Sequence, residues 1–349
     1  MINEQALKAY LLEKFRDAQA VDIRKLGEGV QGAGFLVEVK TPAGTAAYVV
    51  KGLFPEGLGH DYSSDRAAVF LLDLDEYKNL PRHVRALDVL AEMDNGTVKS
   101  IGGGREYYLL MERGEGRDYF HDLKELGGKE RLGPSDVIRI RAMASYLAGI
   151  HSAKKESRPL YWRKVRDTIG HGECLMGVFD TYPDGVLSYE AMADIEKLCI
   201  DWRVRLKRMA HRLCQIHGDF HPGNIWFRKD DDFILLDRSR GPWGDAADDV
   251  TALAINYIFF SVRSHGDVRG AYLGGLRLFM SEYIRLSGDA EVLSVVAPFF
   301  AFRGAVVANP LFYPDLSDAG RDMIFAFTRG VLLAERFDAE RVNDYLGEP

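Results

Sequence analysis

Apolar residues recur at two periods along this chain, and the shift from one to the other divides it. Leu7, Tyr10, Leu11 and Phe15 stand at helical spacing, which predicts an amphipathic helix at the start. Over residues 26–37, apolar positions flank Gly27, Gly29, Gly32 and Gly34, the pattern of a strand, a glycine-rich turn and a second strand. Residues 46–52 predict a further strand with Lys51 near its end. Residues 73–80 read as the end of a helix broken by Pro81, and 105–116 as a strand running into a glycine-containing connector. Beyond that connector the period turns helical. Gly133, Pro134, Ser135 and Asp136 supply start signals for a helix that runs to His151, and a second, rich in basic residues, covers 195–213. Two short apolar runs, 225–227 and 233–236, enclose the polar Arg228-Lys229-Asp230-Asp231-Asp232 and predict a hairpin. The runs 257–260, 276–284, 292–302 and 323–333 predict packed helices, punctuated by Asn309-Pro310 and Tyr313-Pro314.

Composition narrows the class. With 349 residues, 47% hydrophobic and 28% charged, the chain can bury a large core and is long enough for two lobes. A formal net charge of -7 argues against general nucleic-acid binding. No apolar run is long enough to span a bilayer, and the start, Met1-Ile2-Asn3-Glu4, shows no secretory pattern. Cys174, Cys199 and Cys214 are odd in number and scattered, so neither a disulfide framework nor a zinc site is expected, and a reducing cytoplasm is the default.

The densest chemistry lies in 216–237. Asp219, Asn224 and Asp237 fall within a short span, with Gly218, Pro222 and Gly223 punctuating the loop between them. Pairing the hairpin strands brings Asn224 and Asp237 to one end, facing the loop that carries Asp219. Phosphoryl transfer needs such a set: a carboxylate at the nucleophile, and oxygen ligands for magnesium. Two other readings stand beside it. His217, Asp219 and His221 alternate, so on a strand they would share a face and could hold a metal themselves. The stretch could also be a polar turn between core strands.

His217-Gly218-Asp219-Phe220-His221-Pro222-Gly223-Asn224 resembles the loop of the aminoglycoside phosphotransferase and choline kinase-like family. The resemblance covers nearly the whole chain in order, with its specific motifs between Gly27 and Asp249. It implies an α+β, bilobal protein-kinase-like fold: a small lobe of residues 1–114 with an antiparallel sheet, and a mainly helical lobe of 115–349. It implies ATP and Mg²⁺ between the lobes and transfer of the γ-phosphate to a hydroxyl of a small molecule. Asp219 would orient that hydroxyl; Asn224 and Asp237 would hold Mg²⁺. Gly27, Gly29 and Gly32 would approach the nucleotide phosphates, and Lys51 would contact them. Glu76 would pair with Lys51, with Asp73 and Asp75 as rivals. Met111, Glu112 and Gly114 would line the adenine pocket. His151 and Asp249 would be structural, Asp249 bracing the catalytic loop. Where protein kinases carry Asp-Phe-Gly, this chain has Asp237-Arg238-Ser239, and the next helix follows too soon for a long activation loop. A Ser/Thr protein kinase of the same fold and a nucleotide-binding protein without catalysis remain as alternatives. Residues 161–174, polar, aromatic and basic, fit either a substrate cleft or a solvated loop, and the basic face of 195–213 is expected to be solvated. Acceptor identity and oligomeric state are left open.

Overall fold

Helix α1 (Glu4–Lys14) starts where the Asn3 side chain accepts hydrogen bonds from the Gln5 and Ala6 amides, and it buries Leu7 and Leu11. That face closes over an antiparallel sheet of β1 (Ala20–Glu28), β2 (Gly32–Thr41) and β3 (Gly44–Leu53), in the order β1-β2-β3. Along β2, Ala33, Phe35, Val37 and Val39 are buried in strict alternation, as a sheet with one face covered requires. The computed structural model describes residues 3–28, 32–55, 59–79, 84–104, 109, 111–238 and 240–347. They fall into two compact units, 1–111 and 112–349. The first also holds α2 (Ser63–Glu76) and the hairpin of β4 (Leu90–Glu92) and β5 (Val98–Ser100). Asp88 ties the ends of this unit together. It accepts from the Tyr10 hydroxyl and Lys14 Nζ on α1, and from Ser100 Oγ on β5 at 2.7 Å.

The second unit opens with β6 (Arg117–Asp118), α3 (Tyr119–Leu126) and α4 (Pro134–His151). Then come α5 (Arg158–Gly170), α6 (Leu175–Phe179) and α7 (Tyr189–Leu206). Short strands follow: β7 (Cys214–Gln215), β8 (Ile225–Phe227), β9 (Phe233–Leu235) and β10 (Trp243–Gly244). The chain finishes with α8 (Ala246–His265), α9 (Gly270–Ser287), α10 (Ala297–Ala308) and α11 (Asp318–Leu333). Every residue of α8 from Ala246 to Val262 is buried, because α4, α9, α10 and α11 pack around it. Among the described residues, no helix is long and apolar enough to cross a membrane.

Two expectations need correcting here. Of the two readings of residues 161–174, the solvated loop fails: most belong to α5, which buries Tyr161, Lys164, Val165, Thr168 and Ile169 along one stripe. The basic segment 195–213 does not run as one helix. It breaks after Leu206, and while Arg205, Lys207 and Arg208 are exposed, Arg212 is buried. Arg212 forks onto Asp245 (2.9 and 3.0 Å) and Asp289 (2.8 Å), a paired charge rather than a solvated one.

Candidate active site

The expected hairpin forms, with Ile225 opposite Leu235 and Phe227 opposite Phe233. Its turn is closed by the Arg228 amide on the Asp232 carbonyl at 2.9 Å and an Arg228–Asp232 ion pair at 2.6 Å. At the open end, the Leu236 amide donates to the Asn224 carbonyl at 3.0 Å, carrying the pairing one step further. Asn224, opposite Leu236, and Asp237, one residue beyond, therefore leave the same end of the hairpin. Asp237 is the single non-glycine residue with left-handed backbone among those described (φ 51°), and its exposed carboxylate has no hydrogen-bond or ion-pair partner among them.

The loop before the hairpin is held from below. Gly218 takes φ 90°, which turns two successive amides inward. The His217 and Gly218 amides each donate to Asp249 at 2.7 Å, one to each carboxylate oxygen. Asp249 sits in the first turn of α8 and is itself met by His151 Nε2 at 3.1 Å, while His151 Nδ1 meets the Tyr283 hydroxyl at 2.9 Å. One carboxylate thus joins the loop to α4, α8 and α9. The histidines of the loop serve its backbone: His217 Nδ1 accepts from the Asp219 amide at 3.2 Å and His221 Nδ1 from the Gly223 amide at 3.1 Å. The stretch is a loop with a 3₁₀ turn at Pro222–Asn224, so the shared face of a strand does not exist. No group of three or more His, Cys, Asp or Glu side chains suited to a metal occurs among the described residues.

Asn224 Nδ2 donates to the Asp219 carbonyl at 3.1 Å, which fixes the amide and leaves its oxygen for another partner. Asp219 is buried, and its two oxygens are unequal. Oδ1 receives Arg303 Nη1 at 2.6 Å and Arg240 Nη1 at 3.1 Å; among the described residues, Oδ2 has only His221 Nε2, at 3.8 Å. Burial pushes the Asp219 carboxyl up, but the Arg303 and Arg240 guanidiniums and His221 outweigh it and hold the group below its ordinary 3.8. Burial, with the same guanidiniums, lowers His221 from its ordinary 6.5 despite Asp219. Arg303 also donates through Nη2 to the Gly218 carbonyl at 3.1 Å and to Asp248 Oδ1 at 2.8 Å, and Lys164 Nζ meets Asp248 Oδ2 at 2.6 Å. Burial opposes ionisation of Asp248, yet Lys164 and Arg303 hold it down at about 2.

Lys164, Arg240, Asp248 and Arg303 carry this site and were not anticipated. A signal existed for two of them. Arg303 interrupts the apolar run 292–302 just past its end, and Asp248 precedes Asp249 at the start of an apolar helix; a lone charge in a buried helix needs a partner.

The remaining candidates lie apart from this hub in the chain. Gly32 is required by its neighbour strand, since a Cβ there would overlap the Gly52 carbonyl, whereas Gly27 has open space and Gly29 lies outside the described residues. Lys51 is exposed on β3, opposite Gly34. Glu76 is exposed at the end of α2 and accepts from Asn79 Nδ2 at 3.1 Å; Asp73 accepts from the Tyr77 hydroxyl at 3.2 Å. No ion pair joins Lys51 to Asp73, Asp75 or Glu76 among the described residues. Of the strand expected over 105–116, residues 105–108 and 110 lie outside those described, and 111–115 has no regular structure. Met111 and Glu112 are exposed, and Gly114 is approached closely by Ile234 and Leu236 of the hairpin region.

Solved structures of similar architecture are distant. Amicoumacin kinase hAmiN, solved with AMP-PNP, Ca²⁺ and Ami, is 13% identical at a TM-score of 0.43, over 96% of this chain and 97% of that one. A thermostable mutant of aminoglycoside phosphotransferase APH(4)-Ia is 16% identical at 0.39, over 91% of this chain and 98% of that one. The Plasmodium vivax ethanolamine kinase is 11% identical at 0.34, over 93% and 80%. Likeness at this level carries no residue role across. Among curated proteins, argininosuccinate synthase of Clostridium botulinum (strain Eklund 17B / Type B) is 24% identical over 209 residues, 54% of this chain. The chain spans 42% of the length of that relative, so no activity of the whole protein transfers with the match. The sequence model of the phosphotransferase enzyme family (APH) matches residues 73–283, more than half of the chain and all of the loop, hairpin and α8 brace described above. This protein belongs to the phosphotransferase enzyme family.

Proposed function

We propose that this protein moves the γ-phosphate of ATP to a hydroxyl of a small molecule, with Mg²⁺. The observation that carries the reading is the convergence of Asp219, Asn224 and Asp237 on one braced loop and hairpin, in a chain of the phosphotransferase family. The donor set fits magnesium. Asn224 offers an amide oxygen, its nitrogen being spent on the Asp219 carbonyl, and Asp237 offers a carboxylate without a partner among the described residues. Bound there, Mg²⁺ would offset phosphate charge.

The acceptor oxygen attacks the γ-phosphorus, the bond from that phosphorus to the β–γ bridging oxygen breaks, and ADP leaves with the electron pair. Asp219 orients the acceptor hydroxyl through Oδ2, because Oδ1 is already engaged by two guanidiniums. Those guanidiniums make it a weak base, so it takes the hydroxyl proton late, once the new P–O bond has acidified it. In the first unit, Lys51 is our candidate for phosphate contact, with Gly27, Gly29 and Gly32 admitting the backbone and Glu76 orienting Lys51. Met111, Glu112 and Gly114 are the candidates for the adenine edge. A small acceptor is favoured by the short path from Asp237 to α8 at Ala246, which leaves no long segment to seat a peptide.

The test is Asp219→Asn. It should lower turnover by roughly 10²–10⁴-fold while leaving ATP affinity unchanged. Slow ATP hydrolysis serves as the assay before an acceptor is known. Full turnover in Asp219→Asn would reduce Asp219 to a loop brace.

A further inference from the structure

We propose that the acceptor subsite beside Asp219 is an anion site centred on Arg240, so that the acceptor is a hydroxy compound bearing a carboxylate or phosphate group. This rests on the phosphotransfer reading above. The first support is charge. Among the described residues, the carboxylates within 3.1 Å of Lys164, Arg240 and Arg303 in the buried hub are two, Asp219 and Asp248. Lys164 and Arg303 already satisfy Asp248, and Arg303 holds Asp219 Oδ1 at the shorter distance, 2.6 Å against 3.1 Å. Arg240 is the surplus cation. Glu173 comes no nearer than 4.0 Å and is well exposed, so water screens it from Arg240.

The second support is geometry. Arg240 lies over the Phe302 ring at 5.2 Å, which fixes the plane of its guanidinium while the side chain stays partly open to solvent. Among the described residues, Nη1 alone donates a hydrogen bond, to Asp219, and a carboxylate oxygen of Glu173 lies 4.0 Å from Nε. The Arg240 Nε is shielded and has no hydrogen-bond partner, and Nη2 makes none among the described residues. The almost wholly buried Arg303 likewise keeps an unpartnered Nε in the same hub. A planar fork with spare donors matches the two oxygens of a carboxylate or phosphate. An acceptor anion at Arg240 would set its hydroxyl against the free Oδ2 of Asp219 and neutralise the excess charge. A polycation would meet three cations there, and a neutral polyol would leave the excess in place.

The experiment compares matched pairs on the whole protein with Mg·ATP: gluconate with glucose, glycerol 3-phosphate with glycerol, and the polycation kanamycin. Calorimetry reads binding, and ADP release reads transfer. Wild type should favour the anionic partner of a pair by about 10–100-fold, the span of a charge-assisted contact. The gluconate pair reports on a carboxylate, and the glycerol pair on a phosphate. Arg240→Gln should collapse that ratio, Arg240→Lys should restore part of it, and ATP affinity should not change in either. Pairs that bind alike in wild type overturn the proposal, as does preference for kanamycin. So does an Arg240→Gln protein that loses ATP affinity instead, since the arm would then serve the nucleotide. Charge-selective binding in a wild-type protein that releases no ADP from Mg·ATP, with or without these compounds, would sink the phosphotransfer reading and leave the anion site standing.

Discussion

Asp219 is surrounded by residues remote from it in sequence, and this decides what could be read in advance. Asp219, Asn224 and Asp237 were legible because one loop and one hairpin join them; Arg303 was not, lying 84 residues away on α10. Its charge was visible, but pairing across that distance is tertiary packing. Asp248 gives this hub a pH signature. Its folded value of about 2 lies below the ordinary 3.8, so the unfolded chain binds more protons between those values and stability rises with pH there. The contribution, about 2 kcal/mol, should be complete above about pH 5 and lost as pH falls from 4 to 2. Denaturant titrations across that range should show the slope, and Asp248→Asn should flatten it. Asp237 yields a second residue-scale test. Ordinary side chains pay about 1–2 kcal/mol in left-handed backbone, whereas Asp and Asn visit it readily. Asp237→Asn should therefore keep wild-type stability in urea and lose the Mg²⁺-dependent part of ATP affinity in calorimetry. Asp237→Ala should lose both.

Among elements, the hairpin and the terminal helices were legible because their apolar periods are regular. The errors came where charge drew attention from periodicity. In α5, Tyr161, Val165 and Ile169 repeat at four-residue spacing beneath the basic residues and mark its buried stripe. In the segment after α7, Arg212 looked like its exposed neighbours, and only the fold brings Asp245 and Asp289 to it. The brace between α8 and the loop is the element contact on which the site most depends. Asp249→Ala would strand two buried amides and the His151 ring, a loss on the order of 3 kcal/mol. Urea unfolding should show it. Turnover should fall with it even though Asp249 touches no reactant, and the more conservative Asp249→Asn should fall less in both.

At the scale of the molecule, the two units differ in how much they bury. Among the described residues, the central cluster of the first is five buried side chains, Leu7, Leu11, Val21, Val37 and Val39, while the second surrounds α8 on all sides. Hydrogen exchange should follow that contrast: amides of α8 should open only with global unfolding, and those of β1–β3 at lower free energy. Comparable protection in the two would show that they unfold as one. The change of period was readable from sequence, and the two compact units, 1–111 and 112–349, follow it, with Gly114 of the connector close to Ile234 and Leu236. The span from Asp219 to Arg303 also bears on biosynthesis. A chain is made from its N-terminus, so Asp219 leaves the ribosome 84 residues before the guanidinium that holds it. Until α10 has been made and docked, the nascent loop carries a carboxylate with no cation from that helix. The site is thus completed late, and a message truncated before α10 yields a protein with the signature loop intact and the chemistry unassembled.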